Sequence, residues 1–410
     1  MRALLLASAI AFFAPAASAQ TVFLDDATIV DAKGQRVTSD IIWADGAIVQ
    51  EGANLTAPQG AETVSGAWVT PGLFAPMSTL GLTDLGSAGR GNDISAEDAP
   101  TSVSERAADS FNPRSPYIAN TRGRGVTHAV VAPGTSSGSI FAGTGAVISL
   151  TGEFDSVLIE DAFVFLSLGE AGGARAGGSR AAAMAQLRAA ISDAEGFFRR
   201  YNDAPDGGDA LSRQDANALR SAVNGDIPMM IQADRASDLV AIIRLKDENP
   251  NLDIIVVGAT EAWDVADELA DADIRVIIDP LHNLPTSFEA VGARIDNVLF
   301  LEEAGVDYAI ANLSSFRVVK PASLAQHAGN AVGEGLDWGT AFAAISSVPA
   351  SWFGVESETV VVWDGDPLNA TSAPIAVTID GEVMSMDSRI TALRDRYNPL
   401  NTDQRPHKYR

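Results

Sequence analysis

The side chains best suited to acid–base chemistry follow hydrophobic segments late in the chain. Asp279 and His282 lie close together in the stretch IDPLHNLP. A carboxylate and an imidazole at one strand end could act as a general acid and base. The competing interpretation is a loop in which His282 is hydrogen-bonded locally, and it is favoured because no nucleophile is identifiable. Asp279 and His282 are the catalytic candidates that the sequence offers.

A second acidic candidate, Asp234, follows the hydrophobic segment 227–233 and precedes Arg235. An aspartate beside an arginine at a strand end could bind a polar ligand. Equally, the two side chains could pair with neighbours at the start of a helix, where an acidic group is favoured. The residues themselves leave both interpretations open.

The segment 133–145, PGTSSGSIFAGTG, is rich in hydroxyl groups and glycine amides. Such a loop could bind an anion through backbone N–H groups, but loops of this kind are common in scaffolds. The stretch GTSSG at 134–138 has the spacing of a G-x-S-x-G nucleophile motif, but that motif requires a helix directly after it. No helical pattern follows here, so Ser136, Ser137 and Ser139 are poor catalytic candidates. We expect a loop that closes over the rest of the fold.

The supply of metal-binding side chains is small. The chain has no cysteine and four histidines, which are His128, His282, His327 and His407. No two of them are separated by one or three residues, whereas a hydrolytic zinc site needs about three protein ligands and an open position. We therefore predict no metal cofactor.

Hydrophobic strands that alternate with helical patterns must position these residues. Continuous apolar strands between amphipathic helices indicate a parallel sheet covered on both faces. The number of repeats favours a (β/α)8 TIM-type barrel, whose active sites lie at the carboxyl ends of the strands. The predicted strands are 127–132, 162–168, 227–233, 253–258, 274–279 and 307–312, and the predicted helices are 180–201, 213–223, 236–248, 261–270 and 288–304.

The two ends of the chain resemble each other in their β-branched runs and Asp-Gly turns. We expect segments 20–70 and 355–385 to form one small composite β-sandwich domain. The barrel would then occupy 71–354, and 386–410 would form a C-terminal helix and tail.

Residues 1–19 have the pattern of a secretory signal peptide. Arg2 precedes an apolar run, and Ala17 and Ala19 form a small-residue cleavage signal. The run is shorter than the ~20 residues that span a bilayer. We expect cleavage after Ala19 and a periplasmic or secreted chain without a membrane span.

The formal net charge is −25, from 53 acidic and 28 basic residues. A surface with this charge repels nucleic acids and anionic membranes. We therefore expect no nucleic-acid partner.

The order of several motifs resembles the amidohydrolase superfamily, in particular its exported imidazolonepropionase-like branch. The motifs are VTPGLFAP followed by LGL, GVTHAVVAPGTSSGSIFAGTGAVISL at 125–150, TEAWDVADELADADIRVIIDPLHNLPTSFE at 260–289 and VVVWDGDPLNATSAPIAVTIDGEV at 360–383. The similarity covers nearly the whole chain after the predicted signal peptide. It implies a distorted barrel and hydrolysis of C–N bonds, such as those of cyclic amides, with zinc or another divalent metal at the strand ends.

The positions that carry metal ligands in this family hold other residues here. The His-x-His of the first strand falls on Met77 and Thr79, two later histidine positions fall on Gln232 and Asp234, and the last-strand aspartate falls near Asn312. The four lysines, which are Lys33, Lys246, Lys320 and Lys408, do not fall where the family has a carbamylated lysine. Most of these replacements remove strong ligands for a divalent ion. Without a metal, bound water keeps a pKa of about 15.7 rather than about 7.

Three hypotheses follow for the function. The first is a catalytically impaired or inactive homologue that binds a small polar molecule at a barrel mouth formed by Met77, Thr79, Gln232, Asp234 and Asn312. The second is an active, atypical hydrolase that uses Asp279 and His282. The third is a non-catalytic subunit that pairs with an intact amidohydrolase in a homo- or hetero-oligomer.

Overall fold

The computed structural model describes residues 21–84, 91–96, 99, 101–135, 138–203, 209–313 and 321–397. The predicted signal peptide, the tail after residue 397, and Ser136, Ser137 and Lys320 lie outside the described residues. Across the described ranges, none of the helices combines the length and apolarity needed to cross a membrane.

The strands of the described chain form two sheets. In chain order they are β1 (Val22–Val30), β2 (Arg36–Ala44), β3 (Ala47–Gly52), β4 (Glu62–Ser65), β5 (Trp68–Thr70), β6 (Leu73–Ala75), β7 (Val126–Val131), β8 (Phe141–Ser149), β9 (Val157–Ser167), β10 (Met229–Ala233), β11 (Ile254–Gly258), β12 (Arg275–Ile278), β13 (Tyr308–Ile310), β14 (Thr359–Trp363), β15 (Pro374–Ile379) and β16 (Glu382–Val383).

The α-helices lie mainly between the strands of the second sheet. They are α1 (Ala107–Ser110), α2 (Pro116–Arg122), α3 (Gly169–Arg175), α4 (Arg180–Glu195), α5 (Arg213–Asn224), α6 (Ala236–Glu248), α7 (Ala266–Asp271), α8 (Asn297–Ala304), α9 (Leu324–Glu334), α10 (Trp338–Ala343), α11 (Ser347–Trp352) and α12 (Arg389–Tyr397). Short 3-10 turns occur at Ala262–Asp264, Phe288–Ala290 and Pro321–Ser323, and a π-helical turn at Arg199–Asp203.

Local sequence sets the ends of the best-defined helices. The Ser212 side chain accepts a hydrogen bond from the Asp215 backbone N–H and so satisfies a free donor at the start of α5. The same helix ends at Gly225, which adopts the left-handed conformation with φ of 81°. A glycine adopts this conformation without the steric cost that a β-carbon imposes.

The first sheet combines strands from both ends of the chain. Its order is β16-β15-β14-β5-β1-β2-β3, and β4 pairs with β1. Strand β14 lies antiparallel to β5, with Val362 opposite Val69. The indole nitrogen of Trp363 donates to Thr70 Oγ1 at 3.0 Å. The N-terminal strands therefore depend on C-terminal strands for a neighbour.

The second sheet has the order β13-β12-β11-β10-β9-β8-β7-β6. Most neighbours are parallel, but β8 lies antiparallel to both β7 and β9. The mixed α/β architecture is confirmed, whereas the closed ladder of eight parallel strands is not. The predicted loop at 133–145 is also wrong in part, because its last residues belong to β8, where every residue is buried.

Strands β13 and β6 lie at opposite ends of this sheet and share no ladder within the described chain. Each is instead joined to one short segment between α10 and α11. Ile310 N donates to Ala344 O at 3.0 Å, and Phe74 N donates to Ile345 O at 2.8 Å. Two backbone hydrogen bonds thus link the two edge strands through a non-strand segment.

Two apolar clusters cover the faces of this sheet. One contains side chains from the strands together with helix residues such as Leu187 and Leu239. The other consists mainly of strand residues, including Phe74, Phe163 and Ile277, and also contains Met77 and Phe353. Alternating strand positions supply the two clusters, as the period of two requires. The interior of the curled sheet is therefore packed with side chains.

Candidate functional site

Three polar side chains form a hydrogen-bonded row across the carboxyl ends of β10, β11 and β12. Thr260 Oγ1 donates to Asp234 Oδ1 at 2.5 Å and lies 3.2 Å from His282 Nδ1. A hydroxyl has one proton, so the Thr260 oxygen must accept from His282 Nδ1–H. His282 Nε2 then faces Thr286 Oγ1 at 3.4 Å. The row runs from a half-buried carboxylate to a half-buried imidazole.

Backbone geometry at the end of β11 makes room for this row. Gly258 has φ of 106°, and a β-carbon there would lie 2.6 Å from Asp234 Oδ1. Ala259 follows with φ of 50°, a left-handed conformation that costs free energy for a residue with a β-carbon. Asn297 Nδ2 holds the turn by donating to the carbonyls of Ala259 and Thr260 at 2.9 and 3.1 Å. Strained backbone of this kind is concentrated at functional sites.

Burial raises the pKa of the Asp234 carboxyl above its ordinary value, and the hydrogen bond from Thr260 and the charge of His282 oppose this effect only in part. The negative form of Asp234 is therefore destabilised in the folded protein. A carboxyl group in this state is typical of a binding or catalytic position rather than of a structural ion pair.

A charged triad lies beside the row. Arg180 Nε contacts Asp238 Oδ2 at 3.0 Å, and Arg180 Nη2 contacts Glu289 Oε1 at 2.8 Å. Glu289 also accepts from the backbone N–H of Glu170, and a β-carbon at Gly169 would lie 2.6 Å from Glu289 Oε1. Burial is the largest cause that raises the pKa of Glu289.

The triad and the row share an electrostatic environment, because the charge of Asp234 also raises the pKa of Glu289. Asp234, Asp238 and Glu289 set three carboxyl groups against the single guanidinium of Arg180. This edge of the sheet therefore favours groups that donate hydrogen bonds or carry positive charge.

The side chains of Asp279 and His282 face different partners. Asp279 Oδ1 accepts from Leu281 N at 2.9 Å, and Asp279 Oδ2 accepts from Leu313 N at 2.8 Å. Asp279 Oδ1 also lies 3.9 Å from Nε2 of His327. The Asp279–His282 acid–base pair considered from the sequence is thus replaced by an Asp279–His327 pair, while His282 faces Thr260.

His327 was not among the site residues predicted from the sequence. It lies on α9, is 6 % exposed, and neither of its ring nitrogens has a hydrogen-bond partner among the described residues. Burial lowers its pKa, and the charge of Asp279 opposes the effect. A histidine within an apolar helical pattern gives no signal of a carboxylate neighbour 48 residues earlier, so nothing in the sequence could identify this pair.

The remaining predicted mouth residues lie in three different places. Met77 and Thr79 are each 3 % exposed; Met77 packs in the apolar interior cluster, and Thr79 Oγ1 has no partner in the part of the chain that is described. Gln232 lies next to the row and accepts from Ser167 Oγ at 2.9 Å. Gln232 and Asp234 therefore share one strand end with the row.

Asn312 lies apart from this group. Its amide Nδ2 donates to Ser323 Oγ at 2.7 Å. Asn312 also lines a different cavity together with Arg124 and Trp363, on the side of the first sheet. The structure therefore does not bring the whole predicted set together.

The donor set at the strand ends does not fit a divalent metal ion. Met77, Thr79 and Gln232 offer a thioether, a hydroxyl and an amide, none of which is a strong ligand for zinc. In the row itself, only Asp234 and His282 are of the ligand types that zinc prefers. In the described part of the chain, no three histidine, aspartate or glutamate side chains converge to hold a metal. The absence of a metal cofactor stays a prediction for metal analysis.

Comparisons with known proteins identify the fold. No protein-family model matches the chain, and no curated protein matches it. The crystal structure of an amidohydrolase from Thermotoga maritima MSB8 is similar with a TM-score of 0.74 at 22% sequence identity, over 89% of this chain and 99% of that chain. A Xaa-Pro dipeptidase with bound methionine in the active site is similar with a TM-score of 0.51 at 14% identity, over 89% of this chain and 100% of that chain. The resemblance to the amidohydrolase superfamily is thereby confirmed at the level of the fold.

Proposed function

We propose that this chain uses an amidohydrolase fold to bind a small polar molecule without a metal ion and without metal-dependent hydrolysis. The binding site is the edge of the second sheet where Asp234, Thr260 and His282 form their row. The two similar structures are named as an amidohydrolase and a Xaa-Pro dipeptidase. This chain has the same fold, but other residues occupy the positions that carry metal ligands in the amidohydrolase superfamily.

The observation that carries the proposal is the half-buried Asp234 carboxyl at the end of a hydrogen-bonded row. A partly buried carboxyl with a raised pKa costs folding free energy, and such a cost is typical of positions kept for binding or catalysis. The left-handed Ala259 adds a second local cost at the same turn. Two unfavourable features at one strand end support a functional site there.

The charge of this edge defines the kind of molecule. Carboxyl oxygens outnumber cationic groups, and His282 keeps Nε2 on the side away from Thr260. A ligand that donates hydrogen bonds through amide or amine N–H groups would match these acceptors. A cyclic amide or imide has such N–H donors, and its carbonyl oxygen could accept a hydrogen bond from the side-chain amide N–H of Gln232.

Binding of hydantoin and 2-pyrrolidinone tests the proposal. We expect saturable binding, followed by the NMR signal of the His282 ring, and no ring-opened product after long incubation. Thr260→Val and His282→Gln should each weaken binding by about tenfold, since a lost hydrogen bond to a charged group costs ~1.5–3 kcal/mol. Ser287→Ala, an exposed change in the same loop, is the control.

The proposal fails if neither compound binds saturably, or if both variants bind as the wild type does. Ring opening that requires added zinc would favour metal-dependent hydrolysis instead. Ring opening without metal would favour an atypical hydrolase.

The atypical hydrolase is a second candidate because of the Asp279–His327 pair. A carboxylate beside a neutral imidazole could provide a general base. Both ring nitrogens of His327 are buried, however, and a base must reach the proton it removes. His327→Gln should abolish metal-free hydrolysis if this candidate is correct.

A non-catalytic subunit is a third candidate because apolar side chains are exposed beside the row. Leu284, Phe288 and Val291 are 64%, 83% and 65% exposed. Exposed apolar groups that lie close together in sequence are typical of interaction surfaces. Light scattering of the wild type and of Phe288→Ser would test this, since a partner contact at Phe288 predicts dissociation in the variant.

A further inference from the structure

A cavity of about 540 Å³ lies at the opposite end of the second sheet, near the amino-terminal ends of β6 and β7. Its walls come from both sheets, because Asp380 follows β15 of the first sheet while Phe74 and His128 belong to the second. It is therefore separate from the row at the carboxyl ends of the strands.

The rim of this cavity is acidic. Glu356, Glu358 and Asp380 line it and are exposed, and no lysine or arginine of the described chain does so. Asp380 accepts from Ser357 Oγ at 2.8 Å, which is a neutral donor and leaves its charge uncompensated. Three carboxylates around one cavity produce a negative potential that attracts cations.

The hydroxyl groups in the wall add acceptors rather than donors. Ser346 Oγ donates its proton to Gly72 O at 2.9 Å, and Ser347 Oγ donates to Ala32 O. Each hydroxyl then offers only lone pairs to a ligand. Thr359 Oγ1 accepts from Gly72 N at 2.8 Å and keeps one proton. The wall is thus poor in donors.

His128 provides the independent sign of a ligand. It lines the cavity, is 4 % exposed, and its Nε2 is buried without a hydrogen-bond partner among the residues that the structure describes. Its Nδ1 lies 3.1 Å from Thr127 Oγ1, whose proton points toward Leu73 O at 3.4 Å. His128 Nδ1 is therefore the donor, and Nε2 is a free acceptor.

The surroundings of His128 keep it neutral. Its ring stacks on Phe74 with centroids 6.3 Å apart. Burial lowers its pKa to about 4, although the charge of Asp380 opposes the effect. At neutral pH, the imidazole accepts a hydrogen bond instead of repelling a cation.

We propose that this cavity binds an organic cation with several N–H donors and an apolar body, such as an arylguanidinium. The N–H groups would meet His128 Nε2 and the carboxylates of the rim. The apolar body would lie against Pro71, Ala350 and Val355, which complete the wall. A bare metal ion fits less well, because the described residues bring no three strong ligands together.

Phenylguanidinium and phenylurea form a matched pair of probes, since they share a shape and differ in charge. The chain has four histidines, so ring signals in a proton–carbon NMR spectrum are few. His128→Gln assigns the signal of His128, or, if that variant does not fold, replacing the other histidines one at a time assigns it by elimination. We expect phenylguanidinium to shift the His128 signal saturably, with a Kd about tenfold lower than that of phenylurea.

The double variant Glu356→Gln/Glu358→Gln should raise the Kd of phenylguanidinium about tenfold. Both residues are exposed, so the fold should tolerate the change. Glu382→Gln, which removes an exposed charge on β16 outside the cavity, should leave the Kd unchanged. The proposal is overturned if the His128 signal does not shift saturably, if both probes bind equally, or if the double variant binds like the wild type.

Discussion

At the residue scale, the desolvation of the Asp234 carboxylate costs folding free energy that the fold alone does not require. Its carboxyl is half-buried, partial burial disfavours its negative charge, and its main donor is the neutral hydroxyl of Thr260. A structural aspartate would more often meet an arginine or several backbone N–H groups, as Asp215 does with the backbone of Ser102 and Ser104. The exchange of stability for function is expected at a binding site.

Asp234→Asn should therefore stabilise the protein at neutral pH. A carboxyl whose pKa is raised in the folded state binds protons more tightly there than in the unfolded chain. Stability is thus lost as pH rises from the ordinary aspartate pKa through the raised folded value. We expect a gain of about 1 kcal/mol in the free energy of unfolding at pH 7, and no gain below the ordinary pKa.

Urea unfolding at several pH values measures this difference. Asp247→Asn, an exposed change on α6, should leave the stability unchanged throughout. A loss of stability at pH 7 in Asp234→Asn would show that the charged carboxylate is structurally required, which contradicts a position kept for binding.

His128 should make the fold sensitive to acid. Its pKa falls from 6.5 to about 4 in the folded protein, so between these values the unfolded chain takes up a proton that the folded chain does not. Stability is therefore lost as pH falls through this window. The shift corresponds to a loss on the order of 3 kcal/mol.

His128→Gln should flatten the dependence of unfolding free energy on pH between 6.5 and 4, whatever its effect on stability at pH 7. The measurement is again urea unfolding, compared as slopes. Parallel curves for the variant and the wild type would contradict the burial of a neutral His128.

The sequence located single residues of the site but not their partners. Asp234 and His282 were identifiable because each follows a hydrophobic strand, and strand ends meet at one edge. Thr260 also follows a strand, but threonine is common at strand ends, so its residue type did not mark it as part of a site. Asn312 also follows a strand, yet the direction of its side chain depends on packing against Ser323 rather than on strand order.

At the element scale, the segment between α10 and α11 joins the edges of the second sheet. Ala344 and Ile345 accept hydrogen bonds from Ile310 and Phe74 on opposite edge strands. An edge strand with unpaired backbone groups is prone to association, and covering it removes this risk. The segment therefore substitutes for a strand.

The amide protons of Phe74 and Ile310 should be protected from hydrogen exchange to the level of strand interiors such as Ile255. Both are buried and bonded to this segment, so exchange requires an opening of the fold. Hydrogen exchange followed by NMR checks this. Exchange as rapid as that of the exposed strand β3 would show that the sheet is open at this point.

The helices and parallel strands of the second sheet were predictable because their periodicities are strong. The predicted helix at 236–248 matches α6. The strand β8 was missed because its two glycines and the serines that precede it resemble a loop, although all its residues are buried. The predicted helix at 288–304 is a 3-10 turn and a shorter helix, α8, and Gly292, a poor helix former, lies between them.

At the scale of the whole molecule, both ends of the chain contribute to the first sheet. Strand β5 lies between β1 and β14, so the C-terminal strands cover an N-terminal edge. The indole ring of Trp363 packs against Gly125, where an added β-carbon would lie only 2.4 Å from the ring. This contact connects the first sheet to the start of β7. Turn motifs that recur at both ends of the chain favoured a shared β unit, but they do not determine the strand order or the register.

Deletion of 358–383 should unfold the N-terminal strands as well. Strand β5, which contains Val69, would lose β14, the neighbouring strand that covers it. Hydrogen exchange protection across 22–70 is the measurement. Deletion of α12, which has no buried residue, is the control and should leave the protection intact. Retained protection after the first deletion would show that the N-terminal strands fold without the C-terminal ones.

The central claim is that an amidohydrolase fold here works without a metal ion. Mass-spectrometric metal analysis of protein purified without chelators, paired with thermal unfolding in added zinc, tests it most directly. We predict no stoichiometric zinc, manganese or iron, and no rise in Tm with zinc, since a ligand that binds only the folded state must stabilise it. One tightly held metal ion per chain that is lost on mutation of Asp234 or His282 would contradict the claim.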